Sequence, residues 1–158
     1  MTKILLSLHV LAAIIAVGPV TVAASMFPAA VRRAPVDGGG TGVLTVRLLH
    51  RICRVYAGVG LAVPVFGFAT AGSMGVLRDV WLITSILLTA AAAGVLALLV
   101  LPRQQALLER LAAPADAAPE PVAHRATAQL AMLTGIFNLL WAVVTVLMIV
   151  RPGSTTGA

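Results

Sequence analysis

Apolar residues run through this chain in four long blocks, and the charged ones collect between them. Asp, Glu, Lys and Arg are absent from Ile4 to Val31, from Val55 to Leu77, from Val80 to Pro102 and from Ala126 to Val150. A helix needs about 20 apolar residues to cross a hydrocarbon layer about 30 Å thick, and each block reaches that length. Lipid offers the backbone no water, so each block must satisfy its own N–H and C=O groups as a helix. A membrane barrel would instead show strands of about ten residues with alternating polarity, and no such alternation occurs. The pattern predicts an all-α integral membrane protein, a single four-helix bundle over 1–151. Its spans fall near 4–30, 52–75, 80–102 and 126–150, with a disordered tail at 152–158.

Between the blocks the spacing predicts two short interfacial helices. Leu44, Leu48, Ile52 and Val55 recur at helical intervals, with Arg47, His50, Arg51 and Arg54 on the other face. Such a helix lies on, or extends into, the lipid headgroup layer before running on into the second span. After Pro102-Arg103, Leu107, Leu108 and Leu111 form a second stripe, with Glu109 and Arg110 facing elsewhere. The segment "PADAAPEPVAHR" that follows reads as a linker too rich in proline to stay helical. Pro19 and Pro64 each remove a backbone hydrogen bond and are expected to bend their helices. "SMGVLRD" is short enough to make spans two and three a tight antiparallel hairpin.

Composition agrees with the pattern. Hydrophobic residues make up 60% of the 158 and charged residues 10%, where a soluble domain averages roughly a quarter charged. The first block is also longer than the apolar region of about 7–15 residues in a cleaved leader, so it is expected to remain as a span. Of the 11 Lys and Arg residues, eight fall in the first and third connections, which lie on one side: Arg32, Arg33, Arg47, Arg51, Arg54, Arg103, Arg110 and Arg125. Lys3, Arg78 and Arg151 lie on the other. The bias of cations toward the cytoplasm then puts both termini outside. A net charge of +6 could suit nucleic acid, but here the arginines flank membrane spans. Anionic lipid headgroups on the cytoplasmic side are the simpler partner, and no nucleic acid is expected. The Ala/Gly/Val/Arg-rich, Lys-poor usage looks like that of a GC-rich bacterial genome, and the expected location is the bacterial inner membrane.

Few residues remain as candidates for chemistry. His9 lies within the first span, where an ionisable group is by default a functional candidate. It is either a packing residue near the outer end or a haem or metal ligand. Asp79, at the start of the third span beside Trp81, is a candidate to fix the tautomer of a ligating His9 through a hydrogen bond. His50 belongs with Arg47, Arg51 and Arg54 as a headgroup contact, too far from His9 to share one haem. His124 is expected in solvent. Asn138 is the one strongly polar amide deep in a span and is expected to bond across helices, with Thr84, Ser85 and Thr89 as plausible partners. Gly58, Ala62 and Gly67 are assigned to close helix packing, Gly58 and Ala62 as a small-xxx-small pair. Cys53 stands alone, so it forms no intramolecular disulfide, and it reads as a small apolar residue at the bilayer boundary. No carboxylate lies in a transmembrane core, and no metal-ligand cluster, phosphate-binding glycine loop or Ser/His/Asp pattern appears.

"LHVLAAIIAVGP", the "FPAAVRR" exit, "LPRQQALLERL" and "LMIVRPG" resemble a bacterial family of predicted four-helix integral membrane proteins, catalogued as a domain of unknown function. The Leu8-His9 start, with a glycine nine residues on, is also similar to the copper-resistance-D-like group and to HemJ-type membrane proteins. That resemblance implies haem or metal at His9. Two functions follow. One is a non-enzymatic packing or accessory component of a membrane assembly, as a homo-oligomer or in a larger complex. The other is a haem- or metal-binding redox protein.

Overall fold

The computed structural model describes residues 2–35, 40–113 and 120–153. They form α1 (Thr2–Arg33), α2 (Gly40–Val59), α3 (Ala62–Met74), α4 (Val80–Gly94), a π-helical segment (Val95–Val100), α5 (Leu101–Ala112) and α6 (Glu120–Val150). No strand occurs among the described residues. Taken in line, these helices make four stretches long and apolar enough to cross a membrane: Thr2–Arg33, Gly40–Met74, Val80–Ala112 and His124–Val150. The chain is an all-α four-helix membrane bundle.

Proline explains where the helices depart from regularity. Pro19 and Pro28 lie inside α1, which continues through both to Arg33. Span two is not one continuous helix but two, separated at Gly60-Leu61. Pro64 has no N–H to give the carbonyl four residues before it, and that carbonyl belongs to Gly60. The Gly60 oxygen accepts from the Val63 N–H instead, at 3.1 Å. Pro102 acts in the same way on the third span. The carbonyl it deprives is that of Leu98, inside the π-helical segment, where the Leu101 N–H reaches back five residues to the Leu96 oxygen.

The ends of the elements follow local rules. Gly75, at φ 72°, closes α3, and the Val76 N–H bonds the Ala71 oxygen at 3.3 Å. Asp79 caps α4 with its backbone carbonyl, which accepts from Leu82 and Ile83. α6 begins at Glu120, six residues before the expected start at 126. Proline is tolerated in a first helical turn, so Pro121 starts this helix rather than preventing it. Residues 114–119 of the expected linker, and the expected tail beyond Gly153, lie outside the described residues.

The helices pack unevenly. α1 is central, lying against α2, α3 and α6; α4 and the π-helical segment lie against α6, and α5 against α2. The main core gathers Val20, Ala24, Phe27, Val46, Cys53, Val100, Leu107, Leu130 and their neighbours at the arginine-rich end. At the opposite end the core is only Ala71, Trp81 and Leu82, with Val76, Ile86 and Met148 against them. Ile4, Ile14, Val22, Leu61, Leu98 and Ile149 face outward, as side chains wetted by lipid tails do.

The face of α2 that turns inward is not its apolar stripe. Leu44, Leu48 and Val55 are exposed, while Gly42, Val46, Leu49, His50 and Cys53 are buried. Lipid tails are as apolar as leucine, so burial goes to whichever face packs closely or bonds a neighbour. Gly42 illustrates close packing: a Cβ there would stand 2.5 Å from the Ala34 Cα.

Candidate functional site

The buried polar groups of the arginine-rich end are joined in one short chain. Gln104, fully buried on α5, donates from Nε2 to the Cys53 Sγ at 3.5 Å. Its Oε1 therefore faces His50, whose Nδ1 lies 3.1 Å away. An amide oxygen only accepts, so His50 Nδ1 carries the proton and Nε2 is the ring's other polar atom. Gln104 lies in the first turn of α5, two residues after Pro102, and α5 packs against α2.

His50, expected among the headgroup contacts of the basic stripe, is buried, 6% exposed. It does share a cleft with the three arginines. Arg47, His50, Arg51, Arg54 and Val55 of α2, with Gln105 and Leu108 of α5, line an open volume of about 560 Å³. Arg47, Arg51 and Arg54 stand exposed at its mouth, and the imidazole is at its buried side. Gln105 is itself tied to Glu109, donating from Nε2 at 2.7 Å. The cleft is open and cationic.

His9 is held quite differently. Its Nδ1 is 2.9 Å from the Val63 carbonyl oxygen, so Nδ1 again donates. Gly67, one turn further along α3, makes the approach possible: a Cβ there would lie 3.0 Å from the His9 Cε1. Gly67, assigned to helix packing, lies against the imidazole. Asp79 does not pair with His9. Its Oδ2 accepts from the Trp81 indole N–H at 3.0 Å, and the Arg151 guanidinium stands 5.8 Å from the centre of the same indole. Among the described residues no three His, Cys, Asp or Glu side chains come together to hold a metal.

Asn138 does bond across helices, with a partner other than those expected. Its Nδ2 donates to the Ser25 Oγ of α1 at 3.2 Å. Thr84, Ser85 and Thr89 each bond a carbonyl of their own helix four residues back. The Asn138 Oδ1 and the Thr134 Oγ1, one turn apart on α6, are buried and have no hydrogen-bond partner.

Gly58 is exposed, with nothing within 4 Å of the Cβ it lacks, and the Gly60-Leu61 break separates it from Ala62. The pair therefore makes no close contact within this chain at Gly58. His124 is exposed, as expected.

Two features escaped the sequence. Gln104 sits in a helix whose neighbours Gln105, Glu109 and Arg110 are exposed, and nothing in its type distinguishes it from Gln105. The one-turn offset was the available signal, since Gln104 falls three and four residues before Leu107 and Leu108. Cys53 was visible as an apolar residue but not as a hydrogen-bond partner.

Residues 3–152 match the model of a family described as predicted integral membrane protein (DUF2269). No curated protein and no solved structure matches the chain.

Proposed function

The chain belongs to this family of predicted integral membrane proteins, and from that premise we propose a non-enzymatic component of a bacterial inner-membrane assembly whose basic end binds anionic lipid headgroups. Both termini lie outside, and the arginine-rich connections lie in the cytoplasm. The observation that carries the reading is the cleft itself, where three exposed arginines and His50 line one volume at the end of the bundle with the denser core. Each cation near an anionic leaflet contributes about 1 kcal/mol of attraction, so a row of three supports a defined orientation at the surface. Purified protein in nanodiscs tests this. Anionic lipid should be enriched around it relative to phosphatidylcholine, and the enrichment should fall in Arg47→Gln/Arg51→Gln/Arg54→Gln. Equal lipid ratios in both proteins would reject the reading.

Lateral assembly, as a homo-oligomer or in a larger complex, rests on the α1/α6 seam. Ser25 and Asn138 bond one another there beside exposed Val22, Met26 and Leu139. Interhelical hydrogen bonds are a main attraction available to helices in lipid. Cross-linking in native membranes should weaken in Asn138→Leu and persist in the parent.

The second reading, a haem- or metal-binding redox protein, is favoured by His9. Ligating histidines commonly donate the other ring N–H to a carbonyl, and His9 does so to Val63, with Nε2 as the remaining donor atom. A Soret band in the purified protein, lost in His9→Ala, would establish it. A colourless, metal-free protein from haem-replete cells would remove it.

A further inference from the structure

The arginine cleft has a fixed hydrogen-bonding sense and an apolar wall, and these select more than negative charge. We infer that it binds a phosphomonoester, and that the phosphate is carried on a lipid. The inference rests on the basic end being an anionic-headgroup site and narrows what that site takes.

Arg47, Arg51 and Arg54 follow at intervals of four and three along α2, so three guanidinium groups open onto one volume. Among the described residues none of the three is engaged by a hydrogen bond or an acidic side chain. A phosphodiester presents one charge and two non-bridging oxygens. A phosphomonoester presents three terminal oxygens and a charge of about −1.5 to −2 near neutrality. Guanidinium forks bind such oxygens in pairs, and three forks match the monoester better than the diester.

His50 adds a discrimination that the arginines cannot make. With Nδ1 donating to Gln104, Nε2 is the ring nitrogen left for a ligand, and His50 is among the residues that line the cleft. A neutral Nε2 accepts a hydrogen bond. The monoanionic form of a monoester carries a P–OH that can supply it, and a phosphodiester has no such proton. Only a monoester can supply that proton.

The carrier follows from the remaining lining. Val55, half exposed, and Leu108 form an apolar side to the cleft, and Leu48 lies exposed one turn away from Arg51 on the same helix. A free phosphate has no use for these residues, whereas the first methylenes of an acyl chain are covered by them.

The test is native mass spectrometry of the full-length, detergent-purified chain titrated with phosphatidic acid, phosphatidylglycerol and phosphatidylcholine of one acyl composition. Phosphatidic acid should bind about tenfold more tightly than phosphatidylglycerol, the scale of one extra charge-assisted contact. Arg51→Gln and Arg54→Gln, which alter exposed side chains and leave the core intact, should remove that preference. Equal binding of the two anionic lipids, both above phosphatidylcholine, would overturn the monoester assignment and leave the headgroup reading standing. No excess of either over phosphatidylcholine would overturn the headgroup reading as well. Millimolar inorganic phosphate should leave phosphatidic acid bound; its displacement would overturn the lipid as carrier.

Discussion

His50 and His9 are held by the same atom and sit in different worlds. Each donates from Nδ1 to an oxygen on another helix, at 3.1 and 2.9 Å respectively. His50's acceptor is a side chain, Gln104, that is itself oriented by Cys53 and packed within the main core. His9's acceptor is a backbone carbonyl, reached across a glycine, on a half of α1 where Leu8, Val10 and Leu11 face outward. In lipid, an apolar face gains little by turning inward, so density accumulates where polar groups need partners and small residues let backbones meet. The basic end has both. At the opposite end the Trp81 cluster closes the bundle with few residues, and Asp79 and Arg151 are spent on that tryptophan.

Glycine substitution tests the difference most strongly. At Gly42 an added Cβ meets the Ala34 backbone, Cα at 2.5 Å and oxygen at 2.8 Å, and a backbone cannot swing aside. Gly42→Ala should cost about 3 kcal/mol, the upper part of the overpacking range, read as a lower melting temperature in detergent. At Gly67 the obstacle is the edge of the His9 ring, at 3.0 Å, a side chain rather than a backbone. Gly67→Ala should cost less than about 1 kcal/mol, because alanine's better helix propensity offsets part of the displacement. Equal losses at the two sites would break the contrast.

Removing the polar partners gives the next effect. Gln104→Leu leaves the His50 Nδ1–H buried without an acceptor and should cost about 2 kcal/mol. His9→Leu removes a part-buried donor and leaves only a carbonyl already within a helix, so the loss should be about 1 kcal/mol or less. The two melts, measured in one detergent, should therefore separate clearly. A larger loss from His9→Leu would mean that the sparse half of the bundle carries more of the stability than its packing suggests.

The four spans were legible because the bilayer imposes length and excludes charge, and neither constraint depends on tertiary detail. The break at Gly60-Leu61 and the π-helical segment were half legible. Pro64 and Pro102 announce a missing donor, but the carbonyl that suffers lies four residues earlier, which shifts the defect away from the proline. The inward face of α2 was not legible. Periodicity identifies two faces, and in water the apolar one turns inward; in lipid that rule loses its driving force. So Leu44 and Leu48 went out and His50 went in. Asn138 was legible as a residue that must find a partner, and Ser25, 113 positions away, was not. Asp79 took the nearer indole rather than the imidazole, a choice that spacing alone could not make.

Gly58 supplies the smallest effect and the sharpest separation between folding and assembly. Nothing lies within 4 Å of its missing Cβ, and the backbone turns just beyond it, where Leu61 N–H bonds the Gly58 oxygen at 3.1 Å. A leucine there points into lipid, so Gly58→Leu should move the stability of the isolated chain by no more than about 0.5 kcal/mol. If a neighbouring helix packs on this face in the membrane, the same leucine holds it off, and cross-linking should fall while the melting temperature in detergent stays put. If Asn138→Leu weakens association and Gly58→Leu does not, the α1/α6 seam carries the contact and the exposed glycine is simply a lipid-facing turn. The reverse pattern would move the interface to α2, on the same helix as the arginines, and would couple subunit packing to whatever the basic cleft holds.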